Sequence, residues 1–421
     1  MADLGLQLTC SYRAGADPQQ LEAEHPPDGG WRAWMQVLGA HITVFCTWGF
    51  INGFGVFQSY YVEALNATPS AVSWIGSIQT FLLFSIGTFT GRALDAGYYY
   101  HVYRTGSILT ILGIFTTSAA KSYWQVVLSQ GICCGLGAGL MFCPTIALTS
   151  TYFSSRRSLA MGLAATGSAT GGIVIAVIVQ QLLPKVGFGW TARVIGFVLV
   201  VLLGFSNVVL RPRVRARKTG GIIDLEAWKE MTYVCFTIGM FLTFLGLYFA
   251  FFYLSSFAKT HLGLPQSTSF TLLIVLNSVG IPGRILPNYV ADLIGPLNLL
   301  IPMVLIGGIL MLVWITIASH TSLLIWAAFY GLFAAAVQSL FPATMASLTK
   351  DLSKAGTRMG MVFSVISIAC LTGTPVGGAF IQGMEGEYWG AQSFAGGCMI
   401  AGGLVLYISR IYKVGWGLGK A

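Results

Sequence analysis

Charge is the scarcest thing in this sequence. Asp, Glu, Lys and Arg make up 9% of its 421 residues, where soluble globular domains carry about 25%. With 55% hydrophobic residues and a mean hydropathy of +0.74, that shortage excludes a soluble protein. Acidic residues are scarcest, 14 against 23 basic, so the net charge is +9. The first thirty residues contain proline and no apolar core, which excludes a cleaved signal peptide and predicts a disordered cytosolic tail. No His/Asp/Glu cluster, nucleotide-binding loop or metal-ligand spacing is present, which argues against an enzyme, a metal or a cofactor. The eight cysteines (10, 46, 133, 134, 143, 235, 370 and 398) lie almost entirely in apolar stretches without paired spacing. They read as small packing residues.

What is abundant is apolar length. A membrane span needs about 20 mostly apolar residues. Twelve segments qualify, near 35–60, 70–91, 105–120, 123–150, 157–182, 191–210, 231–256, 269–291, 297–318, 322–348, 358–382 and 391–411. Placing the N-terminus in the cytosol leaves only Lys121, Lys185, Arg193 and Lys259 outside and Arg284 within a span; every other Lys and Arg is cytosolic. That asymmetry predicts both termini inside and makes nucleic acid a poor explanation of the basic excess. The reading is therefore an all-α membrane protein of twelve transmembrane helices. It has a tail (1–33), a six-helix bundle (34–210), a basic linker (211–230), a second six-helix bundle (231–413) and a short tail (414–421). The run RPRVRARK (211–218) serves either as a topological anchor or as a contact for anionic lipid. Asn66-Ala67-Thr68 is the one glycosylation sequon; it falls in a short outside loop and is followed by Pro69.

Arg284, in NSVGIPGRILPNYVAD (277–292), is the anomaly. An arginine at bilayer depth costs roughly 2.5–3.5 kcal/mol on insertion scales and usually faces a cavity or a partner. Six-plus-six carriers are built from similar halves with the substrate between them. The second span ends GTFTGRALDAG (87–97), where Gly91, Asp95 and Gly97 make a tight turn followed by Arg104; the eighth ends NYVADLIG (288–295). Matching Asp95 to Asp292 pairs Gly91 with Asn288 and Arg284 with Gly87. Arg284 then lies about 12 Å deeper than Asp292 at 1.5 Å per residue. It pairs with a carboxylate, snorkels to the surface, or binds substrate. The lack of another acid deep in any span weakens the first.

DGGWRAW (28–34) enters the first span with an acidic-Gly-x-Trp pattern in Asp28, Gly29 and Trp31. YFSSRRSLAMG (152–162) opens the fifth with Tyr-Phe, Arg156-Arg157 and Leu-Ala-x-Gly162, and Pro-Val-Gly-Gly (375–378) lies in the eleventh. On these motifs residues 28–413 resemble the major facilitator superfamily, and within it the monocarboxylate porters, especially the fungal members. The resemblance implies a two-domain rocker-switch carrier at the plasma membrane that moves a small organic anion. It makes GRALDAG the turn that lets span two slide on span eleven, and Arg284 the residue that holds the substrate carboxylate. A guanidinium fork suits a carboxylate better than an ammonium does.

The chain departs from that family twice. Asn52 stands where proton-coupled members have a lysine, and Gly280 where they have an acid. Neither titrates, so proton coupling is expected to be weak, absent or carried by the substrate. His41 reads as a packed residue. Gly131, Gly135, Gly139, Gly167 and Gly171 allow close helix contact, in seams that either move during rocking or are static. Tyr248 and Tyr253 offer hydroxyls, and Asn277 and Gln338 are polar at mid-depth, giving a substrate set of Arg284, Asn52, Tyr248, Asn277 and Gln338. Aromatics without a second fixed charge favour an organic anion greasier than lactate. Import and export both stay open, including export of a secondary metabolite; a non-transporting sensor is a weaker reading.

Overall fold

A computed structural model of the chain describes residues 27–95, 97–153, 156–213, 224–348, 355–417 and 419. The tail before residue 27, Cys10, the middle of the linker and the side chains of Gly91, Asp95 and Arg157 lie outside the described residues. Every regular element among the described residues is helical. That follows from composition: in hydrocarbon the backbone must satisfy itself, which a helix does within one segment. Before the linker come α1 (Gly30–Asn52), α2 (Phe54–Ala64), α3 (Pro69–Asp95), α4 (Tyr99–Thr117), α5 (Tyr123–Ser150), α6 (Arg157–Ala165) and α7 (Gly167–Val209). After it come α8 (Met231–Leu247), α9 (Phe249–Thr260), α10 (Gln266–Ile294), α11 (Pro296–Val313), α12 (His320–Leu348), α13 (Ala355–Gly383) and α14 (Trp389–Val414).

Among the described residues, ten helices are long and apolar enough to cross a membrane. One of the ten runs from Leu159 to Val209; it is interrupted for one residue at Thr166, between α6 and α7, and its one non-helical residue within α7 is Gly187, where φ is 71° and ψ is 173°. A loop was expected from 182 to 191; helix instead continues to both sides of that single glycine. The 19-residue α4 is not among the ten, and it begins at Tyr99 rather than near 105. Its early start follows from the preceding turn. Gly97, at φ 84°, ends α3 in the left-handed region, and the Tyr98 N–H donates back to the Ala93 carbonyl at 2.9 Å.

The helices before and after the linker meet along three seams: α3 packs along α13, α7 along α10, and α2 along α9. The glycines singled out from the sequence are not in those seams. Gly131, Gly135 and Gly139 face Ile75, Gln79 and Leu82 of α3, while Gly167 and Gly171 face His41, Phe45 and Gly49 of α1. All five make their close contacts among helices that precede the linker. A Cβ at Gly171 would come 2.5 Å from the Phe45 carbonyl. Gly171→Val is therefore expected to cost about 1–3 kcal/mol by overpacking, measured as a lowered melting temperature of the purified protein in detergent.

The face that carries the start of α1 and the end of α14 is called here the near face. Several side-chain hydrogen bonds between the helices before and after the linker lie towards the far face. Ser59 bonds Ser255 at 3.2 Å, Ser70 bonds the Pro375 carbonyl at 3.0 Å, Ser77 bonds Thr374 at 2.5 Å, and Gln180 donates to the Ser267 carbonyl at 2.8 Å. Glu63 and Lys259 form an ion pair at the same rim. On the near face, Arg358 at the start of α13 is held by Asp224 at 2.9 Å and Glu230 at 2.7 Å, so the end of the linker is clasped to α13.

Candidate functional site

The buried residues of α10 include Asn277, Gly280, Gly283, Arg284, Asn288 and Ala291. Their spacing of three and four puts them on one stripe of the helix. Two glycines bring α12 close to that stripe. A Cβ at Gly283 would come 2.5 Å from the Leu332 carbonyl, and one at Gly331 would meet the carbonyl of Leu276. Gln338 lies seven residues, two turns, beyond Gly331, and at that separation its amide oxygen accepts from Arg284 Nη2 at 2.5 Å.

Arg284 is 1% exposed. Its other described bond runs from Nη1 to the Gly280 carbonyl, one turn back on its own helix, at 3.0 Å. Gly280 makes room for this: a Cβ there would lie 2.7 Å from Nη1. The space that a side chain at position 280 would take is thus filled by the guanidinium itself. Among the described residues no carboxylate lies within ion-pair distance of Arg284, and its hydrogen-bond partners are neutral. Gln338 Nε2 is buried with no acceptor, so an unused donor sits beside the guanidinium.

Tyr248 stands at the break between α8 and α9 and is close enough to Arg284 for the two to interact electrostatically. Its ring stacks on Trp48 of α1, with centroids 5.9 Å apart and planes 18° apart. Trp48 is aimed by a π-helical turn, Phe45–Gly49, of the kind that often marks functional sites. It also meets Phe84 of α3 and Phe142 of α5 edge-on. The sequence reading missed Trp48. Its signal was the four-residue spacing to Asn52, which places both on one side of α1.

The structure gathers Arg284, Gln338 and Tyr248, and sets the remaining expected residues along the α7 seam. Asn277 packs against Gly172 of α7 and bonds its own Leu273 carbonyl. Asn52 is fully buried and its amide reaches the Ser168 carbonyl at 3.5 Å; it is not bonded to Arg284. Tyr253 offers no free hydroxyl, because it donates to the Pro69 and Thr374 carbonyls at 3.1 and 3.2 Å and so ties the far rim. His41 bonds the Leu163 carbonyl, Thr166 and Thr170, as a packed residue does.

The sequence profile described as Major Facilitator Superfamily matches residues 40–374. The chain belongs to the Major Facilitator Superfamily. It is 45% identical over 391 residues to an MFS-type transporter of Gibberella zeae, covering 92% of this chain and 89% of that one. It is 37% identical over 385 residues to the MFS-type transporter dbaD of Emericella nidulans, covering 91% and 87%. It is 34% identical over 400 residues to the Aspyridones efflux protein apdF of Emericella nidulans, covering 94% and 81%. This superfamily member is a multi-pass membrane transporter and not an enzyme.

Within this facilitator, the two signature stretches meet on the near face. The Asp28 N–H donates to the Tyr152 carbonyl at 3.1 Å, and Trp34 packs on Phe153 with centroids 5.2 Å apart. Gly29 caps α1, whereas Trp31 is 79% exposed and Arg156 is also exposed. Tyr152 in turn donates to the Arg211 carbonyl at 2.8 Å, joining both stretches to the start of the linker. Gly162 touches the site: a Cβ there would be 3.3 Å from the Arg284 carbonyl. Arg104 lies over the Tyr100 ring at 5.6 Å, and Asp292 is exposed one turn before Gly295, where φ is 98°.

Proposed function

We propose that this transporter carries an organic monoanion, a monocarboxylate or a weakly acidic metabolite, by alternating access, with Arg284 holding the negative end. The observation that carries this is a guanidinium 1% exposed whose described partners are the neutral Gly280 carbonyl and the Gln338 amide. A buried charge without a counter-charge is costly, and a substrate carboxylate offsets that cost each time it binds. Arg284 and Gln338 Nε2 then act as adjoining donors, with Tyr248, Asn277 and Asn52 lining the seams that part. Glycine at 280 and asparagine at 52 supply no proton acceptor, so flux is uncoupled from protons or coupled only through the substrate's own acidity.

We place the chain with the monocarboxylate porters on the DGGW and YFSSRR signatures, whose contact through Asp28 and Tyr152 supports a shared near-face role. Twelve spans in two six-helix bundles follow if α4 crosses and the long helix is divided at Gly187. The Lys and Arg asymmetry supports both termini in the cytosol, and the membrane of this reading is the plasma membrane. Gly91 and Asp95 at the end of α3, Gly97 in the turn after it, Arg104 in α4 and Asp292 at the end of α10 make up the near-face element on which the bundles slide. Asn66, exposed at φ 47°, is the glycan acceptor; Thr68 beside it accepts the Ala71 N–H and begins α3. Export of a secreted metabolite is the second reading, favoured by the efflux named for the Emericella nidulans relative.

Flux into proteoliposomes against a panel of carboxylates, with and without a pH gradient, tests the proposal. Anions are expected to equilibrate and compete with one another, with no accumulation driven by acid outside. Transport of neutral or cationic solutes alone would overturn it.

A further inference from the structure

We propose that Trp48 is a second substrate contact and that the carried anion is flat and conjugated, its acidic end on Arg284 and its π face against the Trp48–Tyr248 pair. This rests on the reading of Arg284 as the anion anchor. The indole is 7% exposed, and its N–H is buried with no acceptor. Leaving a buried donor unpaired costs about 1–3 kcal/mol. A phenylalanine would make the same edge contacts with Phe84 and Phe142 and avoid that cost, so the ring contacts do not explain the nitrogen. An acceptor that arrives with the substrate does.

Position supports this. Trp48 comes from the helices before the linker and Tyr248 from those after it, so the pair spans the boundary that opens when the two sets part. Its rings are within 18° of parallel. Carbon atoms in contact lie about 3.5–4.0 Å apart, so a flat ring fits between them once the planes are about 7 Å apart. A saturated ring of the same outline is thicker and has no π face to offer. The indole of Trp314 also lacks an acceptor, but its neighbours Phe249, Phe257 and Trp326 all follow the linker, so no boundary crosses it. Gln338 Nε2 and Trp48 Nε1 together call for a substrate with an oxygen acceptor besides its acidic group.

Binding to the full-length protein in detergent, by calorimetry, with 4-acetylbenzoate and its saturated analogue 4-acetylcyclohexanecarboxylate as probes, tests the inference. The planar acid is expected to bind at least tenfold tighter. Trp48→Phe, which keeps an aromatic ring and removes the N–H, is expected to weaken both acids about fivefold, because both carry the acetyl acceptor, and to leave benzoate, which lacks it, unchanged. A merely structural Trp48 would shift benzoate by the same factor. Equal affinities, an unaltered Trp48→Phe, or binding of neither acid would overturn the inference. Two further measurements separate its failure from that of the anchor. If both acids bind equally and Arg284→Ala loses both, the anchor stands. If methyl 4-acetylbenzoate binds as well as the acid, and does so in Arg284→Ala, the anchor itself fails.

Discussion

An Arg284→Ala variant is expected to lose transport almost completely while staying folded. Truncating one partner of a buried, hydrogen-bonded charge pair costs about 2–5 kcal/mol or more, which is a loss of several hundredfold at the middle of that range. The partner lost is the substrate, because the protein's own contacts to Arg284 are the neutral Gly280 carbonyl and Gln338 amide. No carboxylate among the described residues is orphaned by the change, so a monodisperse elution profile and membrane localisation should persist. Arg284→Lys should recover little. An ammonium is a compact point charge and cannot present two parallel donors to one carboxylate. Native flux from the alanine variant would remove Arg284 from the substrate site.

Gly280→Asp is expected to be nearly as damaging, and for the opposite reason. It adds a charge rather than removing one. The new Cβ would stand 2.7 Å from Nη1 and 3.3 Å from the Ala335 Cβ, pushing the guanidinium off its own helix and offering it a fixed carboxylate. Substrate must then displace an internal anion, and KM should rise tenfold or more. Gly280→Ala isolates the steric part: the obstructed atom is the far end of a flexible side chain, so a few tenths of an ångström of movement relieve it. An aspartate variant no worse than the alanine variant would show that Arg284 was never waiting for an anion.

Some of this was legible in the sequence. Long apolar runs gave the helices, since hydrocarbon leaves the backbone few other choices. Arg284 was visible because it was out of place, and Gln338 because it was polar at the same depth. Partner choice was less accessible. Tyr253 and Tyr248 stand five residues apart on the same aromatic stretch, yet one is spent on carbonyls at the far rim and the other stacks on Trp48. Which carbonyl faces a hydroxyl depends on a distant helix, about three hundred residues away for Ser70 and Pro375. The glycine repeats announced close approach but not which neighbour approached. The four-residue spacing to Asn52 marked which side of α1 carries Trp48, but nothing in a one-dimensional pattern tells an indole that lacks an acceptor from one that has it.

On the proposed reading, a guanidinium with no fixed counter-charge among the described residues also makes the transport cycle electrically uneven. Loaded with a monoanion, the centre of the protein is neutral; unloaded, it carries one positive charge within the low-dielectric region. Moving a full charge through the membrane field is worth about 2.3 kcal/mol per 100 mV, and Arg284 traverses some fraction of it as access switches from one face to the other. Voltage should therefore act on the return of the unloaded carrier and barely on the loaded passage. Exchange of one anion for another would be insensitive to membrane potential, while net flux would follow it.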